Sequence, residues 1–159
     1  MSRDQKFNDE AAALGHSFDG EIKPGGSYAP LVRDGRQLYV SGQVPRVGDT
    51  VMVTGTVGAE TSLAQAQVAA RICAMRGLAL LKQALGSLEQ VAAMPRINVF
   101  VRSSPEFTQQ SEVADAASQL IHRVLGPVGV HARTSVGVLQ LPKGASVEID
   151  FLATALPSP

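Results

Sequence analysis

The chain has 159 residues, and its 14 basic and 14 acidic side chains give it no formal net charge at pH 7. Hydrophobic residues make up 45% of it and aromatic residues 4%, with no tryptophan. This composition predicts one ordinary domain with a single core. It argues against a surface that attracts polyanions and against stacking platforms for single strands, so no nucleic-acid partner is expected.

The compartment is constrained by three features of the sequence. Cys73 is the only cysteine, so no disulfide can form within the chain, and residues 1–6 are too polar to begin a secretory signal. No apolar run reaches the roughly 20 residues that span a bilayer. We therefore expect a cytoplasmic protein without a membrane partner.

The chain begins with an extension, residues 1–22, followed by a stretch that reads as one domain, residues 23–156. Within the extension, Asp9 to Leu14 (DEAAAL) favours a short helix that Gly15 would end. Lys23 to Pro30 carries two prolines and two glycines and is predicted to be a loop. No repeat or linker divides the rest of the chain.

Strands are predicted before and between two helical patterns. Two short apolar segments flank Asp34-Gly35, a dipeptide typical of tight turns, and predict a β-hairpin. Thr50 to Gly55 (TVMVTG) and Arg96 to Val101 (RINVFV) have the composition of further strands.

Two amphipathic helices are predicted. Ser62 and Gln65 have the spacing of a capping box, and an apolar face continues from there until Gly86. The residues of this face are Val68, Ile72, Met75, Leu78, Leu81 and Leu85. A second helix is predicted over Val113 to Leu125, after the helix-start signal Ser104-Pro105.

The C-terminal part contains two apolar runs joined by a Pro-Lys-Gly turn, in the stretch Ala132 to Asp150 (ARTSVGVLQLPKGASVEID). This pattern predicts a closing hairpin. The order of strands, helix, strand, helix and two strands is typical of an α+β domain, with both helices on one face of a mostly antiparallel sheet.

Side chains alternate between the faces of a strand, so each run of the hairpin can be divided into two sets. The sets expected to face the helices are Thr134, Val136 and Val138 on one strand and Val147, Ile149, Phe151 and Ala153 on the other. The opposite side would then carry Arg133, Ser135, Gly137, Glu148 and Asp150. On this interpretation Arg133 and Glu148 share one face of the sheet.

Two interpretations of that charged face stay open at this point. Arg133 and Glu148 could form a surface ion pair worth only about 0 to 1 kcal/mol. Alternatively the face lines a pocket, where the planar guanidinium of Arg133 binds an anion and the carboxyl group of Glu148 transfers protons.

Two blocks of the chain resemble signatures of the Rid/YjgF family, the enamine/imine deaminases once labelled endoribonucleases or translation inhibitors. Leu38 to Pro45 (LYVSGQVP) resembles a family strand ending in Ser-Gly-Gln-(Ile/Val)-Pro, and residues 132–150 resemble the long C-terminal signature. The resemblance covers roughly Tyr28 to Ala155. It implies a chorismate-mutase-like fold and a homotrimer with a central barrel and clefts between subunits.

The resemblance also implies a reaction. Deaminating members hydrolyse short-lived enamines and imines to 2-oxo acids and ammonia without a cofactor. Arg133 matches the arginine that pairs with the substrate carboxylate, and Glu148 matches the glutamate that positions the attacking water. The implied substrate-binding residues are Tyr28, Ser41, Gly42 and Ser135.

Two positions depart from the deaminating pattern. Ser135 replaces a cysteine, and His131 replaces a proline before Ala-Arg. The chain therefore resembles a less characterised branch of the family.

Three functions are compatible with the sequence. The first is hydrolysis of carboxylated imines, and the second is non-catalytic binding of a small carboxylate or a protein partner in the same trimeric cleft. The third is RNA cleavage, which the zero net charge and few aromatics disfavour. No metal site is expected, because His16, His122 and His131 are scattered along the chain.

Overall fold

The structure, a computed structural model, describes residues 1–159 and contains three α-helices, a five-stranded sheet and a two-stranded ribbon. The elements are α1 Arg3–Leu14, β1 Leu31–Asp34, β2 Gln37–Gln43, β3 Arg46–Val47, β4 Thr50–Val51, α2 Leu63–Leu85, β5 Val91–Arg102, α3 Gln110–Leu125, β6 Ala132–Val138 and β7 Val147–Ala155. The sheet order is β1-β2-β7-β5-β6, and only the β5–β6 pair is parallel. The predicted α+β class with a mostly antiparallel sheet is confirmed.

Local capping signals define the first two helices. Ser2 and Gln5 form a capping box, so α1 begins six residues before the predicted start and ends at Gly15, whose φ is 75°. The predicted capping box of Ser62 and Gln65 is present, and α2 ends at Gly86 as expected.

The third helix and the strand before it differ from the predicted bounds. Helix α3 begins at Gln110 without a side-chain cap, because Ser104-Pro105 belongs to a turn that precedes it. Strand β5 begins at Val91, five residues before the predicted start. Of the predicted strand Thr50 to Gly55, only Thr50–Val51 pairs as a strand, with β3.

Helices α2 and α3 pack side by side on one face of the sheet, as predicted. Four members of the predicted apolar face of α2 are buried, whereas Val68 is 39% exposed. Gly77 lets α2 approach the sheet closely, since a Cβ at this position would lie 2.5 Å from the ring of Phe151 in β7. The core therefore lies between this helix pair and the sheet.

The N-terminal residues add an outer layer to the helices. Helix α1 packs on α2 and α3 and buries Phe7. The Asp4 carboxylate accepts hydrogen bonds from the Ser87 hydroxyl and the Leu88 amide. Residues before the predicted domain boundary at 22 thus contribute to the packed structure.

The predicted C-terminal hairpin is wrong. Strands β6 and β7 do not pair with each other, because β5 lies between them and pairs with both. The segment β5-α3-β6 is a strand, helix and parallel strand, and parallel neighbours need such a crossover connection.

The predicted face of Arg133 is also wrong. Arg133 is in register with Ile97, whose side chain lies in the core, whereas Glu148 is in register with Phe100 on the opposite face. Arg133, Ser135 and Gly137 therefore point toward the helices, and Thr134 and Val136 point away from them. Within one chain, Arg133 and Glu148 lie on opposite faces of the sheet.

The sheet face without helices carries several apolar side chains. Val32 is 55% exposed, Tyr39 is 50% exposed and Val136 is 40% exposed, and the half-buried Phe100 and Leu152 lie among them. Polar pairs occupy the rest of this face, including the hydrogen bond from Asn98 to Asp150. It is therefore not an ordinary solvated surface.

Candidate functional site

Glu148 lies in a cleft formed by parts of the chain that are far apart in sequence. The cleft has a volume of about 190 Å³ and lies between the loop before β1, the end of β2, the turn before β7 and helix α2. Its lining residues include Tyr28, Gly42, Gln43, Arg46, Arg76, Lys143 and Glu148. Two of the predicted substrate-binding residues, Tyr28 and Gly42, are thus brought together with Glu148.

A β-bulge in β2 makes room for the Glu148 carboxylate. Between Val40 and Gln43, two residues of β2 stand opposite one residue of β7. The second of them is Gly42, and a Cβ at this position would lie 2.9 Å from Cδ and Oε2 of Glu148. A side chain at position 42 would therefore displace the carboxylate, so only glycine fits at this position.

Glu148 is half-buried, and no protein group donates a hydrogen bond to its carboxylate. Burial raises the pKa of Glu148 above its usual range, and the negative charge of Asp150 raises it further. A carboxyl group with a raised pKa, open to a cleft, can take a proton from water and return it to a leaving group.

The other residues predicted near the substrate have different positions. Tyr28 is 51% exposed, and its hydroxyl accepts a hydrogen bond from the Gly25 amide. The Ser41 hydroxyl donates to the Ala29 carbonyl at 2.7 Å and ties the loop to β2 instead of lining the cleft.

Arg76 and Gln43 are residues of the cleft that were not among the predicted site residues. Arg76 is only 8% exposed, and its Nε donates to Oε1 of Gln43 at 3.1 Å. Gln43 in turn donates to the Ser41 carbonyl at 2.9 Å. The one available signal for Arg76 is its position within ICAMRGLALL, a stretch of α2 in which no other residue is polar.

Arg133 is held by helix α3. Its Nη1 donates to Asp115 at 2.9 Å and to the Ser118 hydroxyl at 3.0 Å, and its Nη2 donates to the Ser111 hydroxyl at 2.9 Å. The side chain of Arg133 is 20% exposed and forms an ion pair with Asp115. The guanidinium is thus neutralised and oriented by residues of its own chain.

His131 completes the arrangement around Arg133. Its Nδ1 lies 2.7 Å from the Gly129 carbonyl, and its Nε2 lies 2.8 Å from the Ser118 hydroxyl. Burial lowers the pKa of His131 and the nearby Arg133 lowers it further, against the effect of the bond to Gly129. The neutral ring therefore donates to Gly129 and accepts from Ser118, which is free to accept from Arg133.

A second cavity of about 420 Å³ lies beside this cluster and is lined by Ser118, His131 and Arg133. It is separate from the Glu148 cleft. Ser135 lies next to the cluster on the same side of β6, and its hydroxyl is buried without a hydrogen-bond partner. Arg133 and Ser135 are therefore not part of the Glu148 cleft of the same chain.

No group of three or more His, Cys, Asp and Glu side chains is arranged to hold a metal ion. None of the helices combines the length and the apolar character needed to cross a membrane.

Comparison with known proteins gives a consistent family. The family model for endoribonuclease L-PSP matches residues 18–155. Protein TCP17 of Trypanosoma cruzi is 46% identical over 140 residues, which cover 87% of this chain and 88% of that protein. A 2-iminobutanoate/2-iminopropanoate deaminase of Dermatophagoides farinae is 30% identical over 131 residues, covering 82% of this chain and 87% of the relative.

Solved structures agree with this result. A protein of unknown function from Agrobacterium tumefaciens has a TM-score of 0.85 and 39% identity, over 97% of this chain and 95% of its own. The YjgF gene product of E. coli has a TM-score of 0.62 over 87% of this chain and 95% of its own, and its 22% identity shows a shared fold alone. The predicted YjgF-type fold is confirmed.

Proposed function

The chain belongs to the endoribonuclease L-PSP family, which includes the YjgF and Rid proteins, and we propose that it hydrolyses reactive imines and enamines to 2-oxo acids and ammonia. The observation that carries the proposal is the Glu148 carboxylate, which is half-buried, without a protein partner and open to a polar cleft. The name of the Dermatophagoides farinae relative supports the same reaction class.

Glu148 supplies the acid and base steps of the reaction. An enamine first accepts a proton on carbon from the protonated Glu148 carboxyl group and becomes an iminium ion. The ionised carboxylate then takes a proton from water, whose oxygen forms a bond to the iminium carbon while the C=N π electrons move to nitrogen and neutralise it. Glu148 returns this proton to the amino nitrogen of the carbinolamine, the C–N bond breaks and ammonia leaves. The C=O bond forms as the hydroxyl proton passes to the Glu148 carboxylate, which restores the protonated carboxyl group.

We propose that Arg133 acts at the Glu148 cleft of a neighbouring copy in a homotrimer. Arg133 is on the outermost strand of the sheet and on the face opposite Glu148, so the two meet only if different chains contribute them. Arg133 would then bind the substrate carboxylate through its guanidinium. The apolar side chains on the helix-free face support a barrel formed by three sheets, which would cover them.

The proposal is tested by adding the protein to a threonine dehydratase reaction and measuring the release of 2-oxobutanoate. We expect the wild type to accelerate release, and Glu148→Gln to lose a factor of about a hundred to ten thousand, the usual contribution of general acid/base catalysis. Glu106→Gln is the matched control, since Glu106 is exposed and forms no ion pair. A wild type inactive on several imines, yet able to bind 2-oxo acids, would mean a non-catalytic binder.

The shared cleft has its own test. Arg133→Ala and Glu148→Gln should each be inactive as pure proteins, but refolding an equal mixture should restore about a quarter of the wild-type activity, because clefts with both intact residues form only between unlike copies. If the mixed assemblies recover no activity, Arg133 and Glu148 do not act together in a cleft shared by two copies, and the proposal of a shared cleft is wrong.

A further inference from the structure

Arg76 is a buried cation without a counter-ion. Only 8% of the residue is exposed, and it takes part in none of the ion pairs of the structure. Its two hydrogen bonds go to neutral acceptors, Oε1 of Gln43 and the carbonyl of Arg46. Its Nη2 has no protein partner and is not among the enclosed polar atoms, and Arg76 is one of the residues that line the Glu148 cleft.

An uncompensated buried charge is unfavourable, and a neutral side chain could replace it if only packing were needed. The cost of this charge appears in its pKa. Burial lowers the pKa of Arg76 and the neighbouring Arg46 lowers it further, while Cys73 raises it. A bound anion would offset this cost.

The surroundings of Arg76 add positive charge instead of removing it. Lys23, Arg46 and Lys143 also line the cleft, and Glu148 is its only carboxylate. Arg76 also lines another cavity, distinct from the one beside Arg133, which contains Glu21 and Asp49, and neither carboxylate forms an ion pair with Arg76. The cleft thus has an excess of cations, since four basic side chains and one carboxylate line it.

We propose that the Glu148 cleft contains an anion subsite, formed by Arg76 with Arg46 and Lys143, which binds a second acidic group of the substrate. This inference rests on the proposed function, because it assumes that the cleft holds the substrate. The substrate class is then an imino acid whose side chain ends in a carboxylate or a phosphate. Arg133 of a neighbouring copy binds the first carboxylate, and Arg76 recognises the distal acid.

The geometry explains how such a subsite would select its ligand. Gln43 and the Arg46 carbonyl fix the guanidinium plane of Arg76, so its free N–H groups keep one orientation. A fixed guanidinium favours bidentate binding of a planar acid, and little rotamer entropy is lost on binding. An imino acid with an apolar side chain would leave these donors desolvated and unpaired, which disfavours it.

Calorimetry with stable 2-oxo acids tests the subsite without requiring turnover. The ligands are 2-oxobutanoate with one acid, 2-oxoglutarate with two carboxylates and 3-phosphohydroxypyruvate with a carboxylate and a phosphate. We expect the wild type to bind one of the two diacids about tenfold more tightly than 2-oxobutanoate, and the tighter of the two identifies the distal group.

The variants separate Arg76 from general charge effects. Arg76→Gln should reduce diacid affinity about tenfold and leave 2-oxobutanoate affinity within about twofold. Arg71→Gln, on the same helix but outside the cleft, is the matched control and should change neither. If Arg76→Gln does not fold, Lys143→Asn gives a second test, since Lys143 is exposed and its φ of 61° is tolerated by asparagine.

The outcomes are distinguishable from those of the proposed function. Equal affinities of the wild type for one-acid and two-acid ligands would overturn the subsite, even if imine hydrolysis were demonstrated. A diacid preference lost in Arg76→Gln would support the subsite even if no imine were hydrolysed.

Discussion

The two charged residues of the C-terminal segment have environments of opposite character. Arg133 donates hydrogen bonds to three side chains of α3 and is neutralised by Asp115. Glu148 has no protein donor, lies near a second carboxylate and is pressed against Gly42. The charge of Arg133 is paired within the protein, whereas the half-buried charge of Glu148 has no partner and lowers the stability of the folded state.

This difference separates a charge that stabilises the fold from a charge that reduces its stability. A satisfied charged network contributes to stability, and its removal leaves partners unpaired. An unsatisfied half-buried carboxylate reduces stability, and perturbed groups of this kind concentrate at functional sites. Stability measurements can therefore test the contrast independently of any substrate.

The largest effect is expected for Arg133→Ala. The variant removes the charged donor from Asp115, Ser111 and Ser118 and leaves a gap beside α3, so the free energy of unfolding should fall by about 2 to 3 kcal/mol. Urea denaturation measures this change. A fall below about 0.5 kcal/mol would show that the network contributes nothing to folding.

Arg123→Ala provides the comparison for that measurement. Arg123 also pairs with a carboxylate, Glu10, but its side chain is 49% exposed. Exposed pairs contribute only about 0 to 1 kcal/mol, so this variant should lose clearly less stability than Arg133→Ala.

Gly42→Ala tests the tightness of the Glu148 cleft. The added Cβ would meet the Glu148 carboxylate at 2.9 Å, and the bulge in β2 cannot move without disturbing its pairing with β7. We expect a loss of about 1 to 2 kcal/mol in thermal unfolding, together with a loss of imine hydrolysis. Gly20→Ala is the control, because a Cβ at Gly20 meets nothing within 4 Å and should change neither property.

Most of the fold could be predicted because its signals are local. The capping box of Ser62 and Gln65, the stop at Gly86 and the turn at Asp34-Gly35 act within a few residues and were all found in the structure. The order of strands is not a local property. The sequence neighbours β6 and β7 resemble a hairpin, and only the placement of β5 between them shows otherwise.

The candidate site was predictable in part for the same reason. Family motifs identify Glu148 and Gly42, and the structure brings these two together. Alternation alone assigned Arg133 to the wrong face, because Val136 contributes to an apolar surface on the side without helices. Arg76 belongs to no motif. Only its burial without a carboxylate partner, which is a property of the folded chain, identifies it as a candidate site residue.

Asp115→Asn tests the Arg133 network with a smaller expected change in stability. Asparagine keeps the acceptor oxygen but removes the negative charge, and the Asp115 side chain is 52% exposed, so the expected loss is below about 1 kcal/mol. The variant should also bind 2-oxobutanoate more tightly, because the Arg133 guanidinium is no longer neutralised. Unchanged affinity would argue against Arg133 as the carboxylate-binding residue.

Glu148→Gln is expected to have the smallest effect on stability, and its sign is the informative part. A raised pKa means that the folded protein holds the proton more tightly than the unfolded chain, so this group's contribution is full below the unfolded pKa and is lost as pH rises through the folded pKa. The neutral side chain in Glu148→Gln does not ionise, so the variant does not lose this stability as pH rises. At about pH 8 the variant should be more stable than wild type by a few tenths of a kcal/mol, about what a water-screened carboxylate allows.

At about pH 3.5, where the carboxyl group is mostly protonated, the gain from Glu148→Gln should disappear, because both side chains are then neutral. Thermal unfolding of both proteins across this range measures the difference, with Glu106→Gln as the flat control. A variant less stable than wild type at pH 8 would mean that Glu148 is paired with a cation in solution, and the basic side chains that line the cleft are the candidates. Such a result would reverse the contrast with Arg133, since both charges would then belong to satisfied networks.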